Sequence, residues 1–480
     1  MQYRFVNNLR VYLSSKLLSG YLKQPYKFHL SHNSSELMRS VLTEVSNIVG
    51  TTFVTIQMIS EIFVLVSFSI FLTYSYFIPS ITVLSILLFL STLFYIYSKN
   101  KIKDLGVDRH TSEEKRIRFV QEGLTGIKII KVLGLENFFL RKFMESEKLQ
   151  SMITLKYNMF VSLPRLLFEI IIAISLITFL TTFIFQGYQQ QEIITGISVF
   201  LVAAFRLMPS INKLLIGFQS LKFNNETIKK ISQEIADIDK NEINFKITEA
   251  KNGKIYFKKE ILLKDVSLNY EDRDTILKNI NLDIKKNEFI AITGPTGSGK
   301  STLIDLIIGL IKPTSGKILI DNNNLNSSLD SWQRQIGYVP QTLHFLDDTL
   351  KNNIAYGIDE KNINNDQIQY CLESAQLKQF VNGLKNGVDS KIGEDALRIS
   401  GGERKRIGIA RALYFNPSVL ILDEPTNELD SVTEKKIIEL LVKLKSKITI
   451  ILISHKESSF KLCDKIYKIE NKNVHLIRKN

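Results

Sequence analysis

Two long stretches without basic residues constrain the fold of this chain more than any other feature of its sequence. No Lys or Arg occurs between Arg39 and Lys99, and none occurs between Arg165 and Arg206. Both stretches are rich in Ile, Leu, Phe and Val, and both exceed the roughly 20 residues that a helix needs to cross a bilayer. The sequence therefore argues against a wholly soluble protein.

Four transmembrane helices are predicted from these stretches. The first stretch is long enough for two helices, and the short polar segment 186–192 separates the two later ones. Lys99, Lys101 and Lys103 follow the second helix directly, which places that end in the cytoplasm by the positive-inside tendency. An even number of spans leaves both termini on one side of the membrane. The predicted spans are about Thr52–Tyr76, Ser80–Tyr97, Leu163–Phe185 and Ile193–Leu221.

The charge of the chain agrees with a membrane protein. There are 62 Lys and Arg against 48 Asp and Glu, and residues 1–240 hold most of this excess, with 26 against 17. Basic loops that face anionic lipid explain this distribution. Because no Arg-rich face or aromatic RNA-binding pattern accompanies the charge, we expect no nucleic acid among the partners.

The sequence pattern changes near residue 241, where short apolar β-type runs begin to alternate with helical segments. This alternation predicts an α/β domain with a largely parallel sheet. We therefore predict two domains: an all-α transmembrane domain in residues 1–240 and an α/β domain in residues 241–480. The predicted strands are Phe289–Thr293, Ile318–Ile320, Gly337–Val339, Val419–Leu422 and Ile448–Ile453.

A glycine-rich phosphate-binding loop follows the strand that ends at Thr293. Its sequence, Gly-Pro-Thr-Gly-Ser-Gly-Lys-Ser, fits GxxxxGK[ST] between a strand and a helix, the P-loop of NTPases. The glycines let backbone N–H groups point at phosphate oxygens. Lys300 would contact the β- and γ-phosphates, and the hydroxyl of Ser301 would bind Mg²⁺. The predicted nucleotide contacts are Gly294, Pro295, Thr296, Gly297, Ser298, Gly299, Lys300, Ser301 and Thr302.

A second apolar strand ends in two acidic residues, Asp423 and Glu424. Asp423 can hold the Mg²⁺ shell, and Glu424 can act as the general base for an attacking water. Strands often end in acidic residues, so this motif is weak by itself. Its position downstream of a phosphate-binding loop makes it a strong indication of nucleotide hydrolysis.

The segment Ile-Ser-Gly-Gly-Glu resembles the LSGGQ signature of ATP-binding-cassette (ABC) proteins. Ile399 replaces Leu, and Glu403 replaces Gln. The small residues would form a second anion-binding nest at a helix start. In this family the nest closes over the ATP that the opposite subunit binds. The nest residues are Ser400, Gly401 and Gly402.

The resemblance to ABC proteins implies roles for three more residues and two cofactors. Tyr270 corresponds to the aromatic residue that stacks on adenine, Gln341 to the Q-loop glutamine, and His455 to the switch histidine. The implied cofactors are ATP and Mg²⁺. The implied catalytic residues are Glu424, His455 and Gln341, and the implied metal ligands are Ser301, Gln341 and Asp423.

The order of the two domains resembles half-size ABC exporters, which work as dimers. Residues 163–169 and 205–213 look most like the bacterial lipid-linked-oligosaccharide flippase of the Pgl type. This resemblance implies an ATP-driven flippase in the bacterial cytoplasmic membrane, with its ATPase domain in the cytoplasm. The implied partners are a second half-transporter, in a homodimer, membrane lipid and a polyprenyl-pyrophosphate-linked glycan.

Three cations lie in or beside the apolar spans, where a charge is costly unless it meets a partner or a wet cavity. Arg206, Arg165 and Lys213 are therefore candidate contacts for the pyrophosphate. As alternatives, Arg165 can pair with Glu169 on one helix face, and Lys213 can extend to the membrane interface.

Two other functions stay open from the sequence. The chain can export another lipid, a peptide or a drug, or it can be an ATP-binding protein without transport activity. Half-size exporters normally have six spans, and this chain shows four. Residues 1–20 resemble the inner end of a missing second helix, so we expect an N-terminal truncation, a mis-called start or a degenerate gene product.

Overall fold

The computed structural model describes residues 1–75, 77–185, 189–249, 256–269, 275–393, 399–426, 429 and 431–479. The chain divides into two compact units, which are described separately. The first contains Met1–Gln24 and Phe28–Asn244, and the second contains Phe245–Asn480 together with Pro25–Lys27.

The described part of the first unit is helical. Its helices are α1 (Gln2–Leu22), α2 (Tyr26–Ser31), α3 (Ser34–Arg39), the π-helical turn Ser40–Glu44, α4 (Val45–Ser75), α5 (Phe77–Thr125), α6 (Ile127–Leu133), α7 (Glu136–Phe185), α8 (Gln190–Phe223) and α9 (Asn225–Glu249). Helices α5 and α7 have 49 and 50 residues. They are much longer than the predicted spans because the charged residues between the two apolar stretches continue the same helices.

Three helical stretches among the described residues are long and apolar enough to cross a membrane. They are Ser34–Phe71, Glu136–Thr178 and Gln190–Phe223, and they overlap the first, third and fourth predicted spans. The second predicted span, Ser80–Tyr97, lies within α5, and several of its side chains are outside the described set. The count of four spans therefore stays a prediction.

The main core of the first unit lies where α5, α7 and α8 pack together. Small residues allow close helix packing there, and Ala203 and Ala204 of α8 are almost fully buried. Gly106 of α5 approaches the end of α8 so closely that a β-carbon would lie 2.1 Å from the carbonyl oxygen of Phe223. A glycine is therefore required at this crossing.

The second unit contains two sheets in its described residues. The strands are β1 (Glu260–Leu268), β2 (Leu277–Lys285), β3 (Phe289–Thr293), β4 (Ser315–Ile320), β5 (Asn323–Asn324), β6 (Ile336–Val339), β7 (Val419–Asp423), β8 (Thr449–Ile453), β9 (Lys465–Glu470) and β10 (Asn473–Lys479). The six-stranded sheet has the order β10-β9-β3-β8-β7-β6 and is parallel except for β10. The predicted parallel sheet is thus confirmed.

A separate antiparallel sheet, in the order β2-β1-β4-β5, was not predicted. It contains the predicted strand Ile318–Ile320, which therefore pairs in an antiparallel sheet and not in the parallel one. Register shifts after Leu263 and Val266 interrupt the pairing of β1 with β2. Such irregularities weaken the alternating pattern by which strands are found in a sequence.

Helices pack on the parallel sheet because its central strands are apolar on both faces. Along β3, Phe289 and Ala291 join one hydrophobic core, whereas Ile290 and Ile292 join the other. The carboxyl ends of β3, β7 and β8 consequently lie side by side. The helices of this unit are α10 (Lys300–Ile308), α11 (Leu329–Gln333), α12 (Leu350–Ile354), α13 (Asn365–Ser374), α14 (Lys378–Asn382), α15 (Gly401–Tyr414), α16 (Ser431–Lys445) and α17 (Glu457–Phe460).

Candidate active site

Loops that follow three neighbouring strands carry most of the predicted site residues. Ile453 at the end of β8 pairs with Ile292 of β3 on one side and with Asp423 of β7 on the other. The phosphate-binding loop, Glu424 and His455 follow these three strands. The carboxyl edge of a parallel sheet is where α/β proteins bind ligands.

The phosphate-binding loop turns sharply at its glycines. Gly299 has a φ of 98°, in the left-handed region, and it serves as the N-cap of α10. Gly294 has a φ of 152°, and a β-carbon on it would lie 2.5 Å from the carbonyl oxygen of Ile469. Side chains are therefore excluded at both positions, which lets the backbone form a cradle.

The polar groups of this cradle fit a phosphate chain. Lys300 is 7% exposed, and its ammonium donates to the carbonyl oxygens of Gly294 and Pro295 at 2.9 and 3.0 Å. The Oγ of Ser298 is buried, without a hydrogen-bond partner in the described part of the chain. The first helical N–H groups of α10 point toward this loop and lack acceptors within the helix. The remaining predicted contacts in this segment are Thr296, Gly297, Ser301 and Thr302.

Two of the three predicted metal ligands are neighbours. Ser301 Oγ donates to Asp423 Oδ2 at 3.2 Å. A hydroxyl and a carboxylate are oxygen ligands of the kind that Mg²⁺ accepts beside phosphates and water, so these residues fit that ion. Gln341, the third predicted ligand, instead contacts Glu424. No group of three or more His, Cys, Asp or Glu suited to a metal occurs among the residues described.

The three predicted catalytic residues are in contact. Gln341 Nε2 donates to Glu424 Oε2 at 3.0 Å, and His455 Nε2 lies 3.3 Å from Glu424 Oε1. Glu424 has a φ of 51°, which is strained for a residue other than glycine. Its N–H donates to the carbonyl oxygen of Ile453 at 3.1 Å, which helps to hold this conformation. The carboxylate of Glu424 therefore lies between the glutamine and the histidine.

Burial changes the acidity of the charged groups around the loop. It raises the pKa of Asp423, although the hydrogen bond from Ser301 and the cations of Lys405 and Lys300 act in the opposite direction. It also lowers the pKa of Lys300, against the attraction of the nearby carboxylates. These groups are therefore partly desolvated, as expected for a site that binds an anion and a cation together.

The predicted signature nest lies at the start of α15. Ser400 Oγ donates to Glu403 Oε2 at 2.7 Å, and the Ser400 N–H donates to the same oxygen at 3.0 Å. Glu403 N–H donates back to Ser400 Oγ, which completes a capping box. In the described residues, Ser400, Gly401 and Gly402 make no hydrogen bond to the phosphate-binding loop of the same chain.

One predicted contact lies outside the described residues, and one contact was missed. Tyr270, the expected adenine-stacking residue, is not described. Lys405 was not predicted: its ammonium donates to the carbonyl oxygen of Gln341 at 2.5 Å, so α15 is tied to the Q-loop. Its position in the basic run after the signature is the only signal in the sequence, and such runs are common on exposed helices.

The three candidate substrate cations differ in their partners. Arg165 Nε contacts Glu169 Oε1 at 2.9 Å, as the spacing allowed. Lys213 Nζ contacts Glu61 Oε1 at 2.6 Å, a pairing between α8 and α4 that was not predicted. Arg206 makes no side-chain hydrogen bond or close ion pair with any described residue, although its charge is near enough to Glu61 to attract that carboxylate. It lines an open surface groove of about 390 Å³ together with Phe63, Val64, Ser67, Phe68 and Phe71.

Known proteins and families resemble both halves of the chain. Residues 3–208 match the family model of the ABC transporter transmembrane region, and residues 277–427 match that of the ABC transporter. The chain is 27% identical to an ATP-dependent lipid A-core flippase of Ralstonia nicotianae, over 97% of this chain and 78% of that protein. It is 28% identical to the heterocyst differentiation ATP-binding protein HepA of a Nostoc species, over 97% of this chain and 76% of that protein.

A solved structure shares the fold of this chain. A bacterial Atm1-family ABC exporter with ATP bound superposes with a TM-score of 0.81, at 20% identity, over 98% of this chain and 83% of that one. The match extends through both the helical unit and the α/β unit. The chain is a half-size ABC exporter, in which a helical transmembrane domain is followed by an ABC cassette that binds ATP and couples its hydrolysis to transport.

Proposed function

We propose that Glu424 is the general base of ATP hydrolysis in this cassette. Its carboxylate is held between Gln341 and His455, and this arrangement is the observation that carries the proposal. His455 would orient the attacking water and the γ-phosphate, and Lys300 would hold the β- and γ-phosphates. Mg²⁺, held by Ser301 and Asp423, would neutralise charge on the phosphates.

Two chains would form the working transporter. Because the signature of one subunit closes over the ATP of the other in ABC proteins, Ser400, Gly401 and Gly402 would act on the nucleotide of a partner. A homodimer then contains two composite sites. The chain would lie in the bacterial cytoplasmic membrane, with its cassettes in the cytoplasm on the side marked by Lys99, Lys101 and Lys103.

The transported substrate would be an amphiphile with a phosphorylated headgroup. Arg165 and Lys213 already have carboxylate partners, so their charges are largely neutralised within the protein. Arg206 lines an open groove whose other walls are mostly aromatic and aliphatic side chains. An anionic headgroup at Arg206 with acyl or prenyl chains along the apolar lining would satisfy both kinds of surface.

Two substrates share this chemistry. The leading one is a polyprenyl-pyrophosphate-linked oligosaccharide, moved from the cytoplasmic to the outer leaflet. The second is a lipid A-type glycolipid, which the resemblance to lipid A-core flippases favours. Both carry phosphates beside a lipid anchor, so Arg206 alone does not distinguish them.

Reconstituted transport separates these possibilities. The full chain would be placed in proteoliposomes with either glycolipid, and ATP hydrolysis and transfer of the glycolipid between leaflets would be measured. We expect Glu424→Gln to lower hydrolysis about 100-fold or more while ATP still binds. We expect Arg206→Ala to abolish stimulation by the substrate and to leave basal hydrolysis in place, with a smaller effect for Arg165→Ala.

The outcomes have separate meanings. Stimulation by lipid A-type glycolipid but not by the oligosaccharide would select the second substrate. Hydrolysis that neither glycolipid changes, in wild type and in Arg206→Ala alike, would contradict the flippase proposal. Wild-type protein that binds ATP without turnover would indicate an ATP-binding protein without transport activity.

A further inference from the structure

A lysine next to the switch histidine fastens together the two loops that carry the catalytic contact. The Lys456 ammonium donates to the carbonyl oxygen of Thr426 at 2.9 Å and to Glu434 Oε2 at 2.6 Å. Thr426 lies two residues after Glu424, and Lys456 lies one residue after His455. The Lys456 side chain therefore links the segment that follows His455 to the segment that follows Glu424.

Glu434 holds this cation in place from the first turn of α16. Its Oε1 accepts a hydrogen bond from Ser458 Oγ, and its Oε2 accepts the one from Lys456. The side chains of Glu434 and Lys456 are 14% and 33% exposed, so solvent screens their attraction only in part. Burial alone would raise the pKa of Glu434, but the hydrogen bonds from Lys456 and Ser458 and the charge of Lys456 lower it. The carboxylate is therefore ionised at neutral pH.

The backbone beside His455 is also fixed on its other side. Lys456 N–H donates to Ser454 Oγ at 3.1 Å, and Ser454 N–H donates to the carbonyl oxygen of Ile292 in β3. The loop of His455 is thus anchored to the sheet. The loop of Glu424 contains a residue with strained backbone, which keeps its conformation only if its surroundings hold it. The Lys456–Thr426 contact supplies part of that support.

We propose that Lys456 is a positioning residue for ATP hydrolysis, which keeps Glu424 within reach of His455 by tying the Thr426 carbonyl to Glu434. The inference rests on the proposed roles of Glu424 and His455. The ammonium of Lys456 donates to Thr426 and Glu434. It would therefore affect hydrolysis by positioning the two loops and not by contacting the reacting atoms. Misplacement of catalytic groups by about 1 Å lowers a rate about 100-fold. ATP affinity depends mainly on the separate phosphate-binding loop, so the effect should fall on kcat.

Lys445, the last residue of α16, offers a matched control in the same cassette. Its ammonium contacts Asp464 Oδ1 at 2.6 Å and the carbonyl oxygen of Leu462 at 3.4 Å. The side chains of Lys445 and Asp464 are 35% and 31% exposed, so this ion pair is also only partly open to solvent. The lysine thus makes the same kinds of contact as Lys456, with one carboxylate and one carbonyl. It joins α16 to the residues before β9 and not to the loops of the site.

Steady-state ATP hydrolysis by the full chain in proteoliposomes tests the inference. We expect Lys456→Met to lower kcat about 10- to 100-fold, with the KM for ATP changed less than about twofold. Lys456→Arg should recover most of the rate, because a guanidinium can donate to the same two acceptors. Lys445→Met should keep kcat within about twofold. Thermal unfolding of each variant checks that the two Met variants are destabilised to a similar extent.

The variants Glu434→Gln and Glu424→Gln make the result decisive. Glu434→Gln keeps a shape like that of the glutamate and should lower kcat in the same direction as Lys456→Met, which covers the case that the Met variant does not fold. Equal losses of kcat in Lys456→Met and Lys445→Met would overturn the inference, and so would a raised KM with unchanged kcat. An Arg variant as slow as the Met variant would overturn it too. Full hydrolysis by Glu424→Gln would contradict the proposed base instead, so the two failures are distinguishable.

Discussion

Among single residues, Asp305 is one whose negative charge is unfavourable in the folded protein. It lies in α10, and burial, followed by the negative charge of Asp423, raises its pKa from 3.8 to about 6. A raised pKa means that the folded protein favours the protonated carboxyl more than the unfolded chain does. The resulting stabilisation is complete below about pH 4 and is lost as the pH rises through about 6.

Asp305→Asn should remove this pH dependence. Because an amide stays neutral, the variant should gain about 1–2 kcal/mol over wild type at pH 7, a value reduced for the partial exposure of the side chain, and nothing near pH 4. The measurement is thermal unfolding of the nucleotide-free, metal-free protein in detergent from pH 4 to pH 7. The exposed Asp347→Asn, which removes a carboxylate in a loop, is the control. A parallel pH profile for Asp305→Asn and wild type would contradict this prediction.

At the scale of secondary-structure elements, close helix contacts depend on single glycines. The α5–α8 crossing brings Gly106 against backbone atoms at the end of α8, where no side chain can move aside. By contrast, a β-carbon on Gly50 of α4 would meet no heavy atom within 4 Å. The same substitution therefore has opposite consequences at the two positions.

Gly106→Ala should destabilise the membrane domain, and Gly50→Ala should stabilise it. We expect a loss of about 1–3 kcal/mol at Gly106, because the two helices must separate. At Gly50 we expect a gain of about 0.5–1 kcal/mol from the higher helix propensity of alanine. The unfolding temperature of each variant in detergent measures both effects. Equal shifts of the same sign would show that the crossing does not require glycine.

The elements also differ in how far the sequence predicts them. The apolar strands β3, β7 and β8 were located to within a residue, because strands buried on both faces are continuous apolar runs. The irregular strand β1 was not found, and with it the antiparallel sheet was missed. The motifs identified Glu424, His455 and Gln341 as candidate catalytic residues, and the structure brings them together. The motifs did not identify Lys456 or Lys405, because each lysine donates to a backbone carbonyl and any sequence can supply a carbonyl.

For the whole molecule, the proposed composite site predicts that two defective chains can complement each other. Ser400→Arg would disable a signature, and Lys300→Ala would disable a phosphate-binding loop. A homodimer of either variant has no intact composite site. A mixed dimer has one, because the loop of the first chain meets the signature of the second.

Co-purified mixed dimers should therefore hydrolyse ATP while both homodimers do not. Two different affinity tags would isolate the mixed species, and its ATPase rate would be compared with wild type. We expect up to about half of the wild-type rate, since one of two sites survives, and less if the sites must work together. A mixed dimer as inactive as both homodimers would contradict the composite site.

The unbroken length of α5 has a mechanical consequence. At 1.5 Å per residue, its 49 residues extend about 73 Å, more than twice the roughly 30 Å of bilayer hydrocarbon. If the predicted span Ser80–Tyr97 crosses the membrane, about 40 Å of the same helix would continue past the membrane surface. A tilt of about 10° at one end of such a helix displaces the other by about 13 Å. Helix α7 is as long but contains Pro164, where the hydrogen-bond ladder is interrupted and bending is easiest. On this geometry α5 would transmit a tilt along its whole length, and α7 would bend at Pro164.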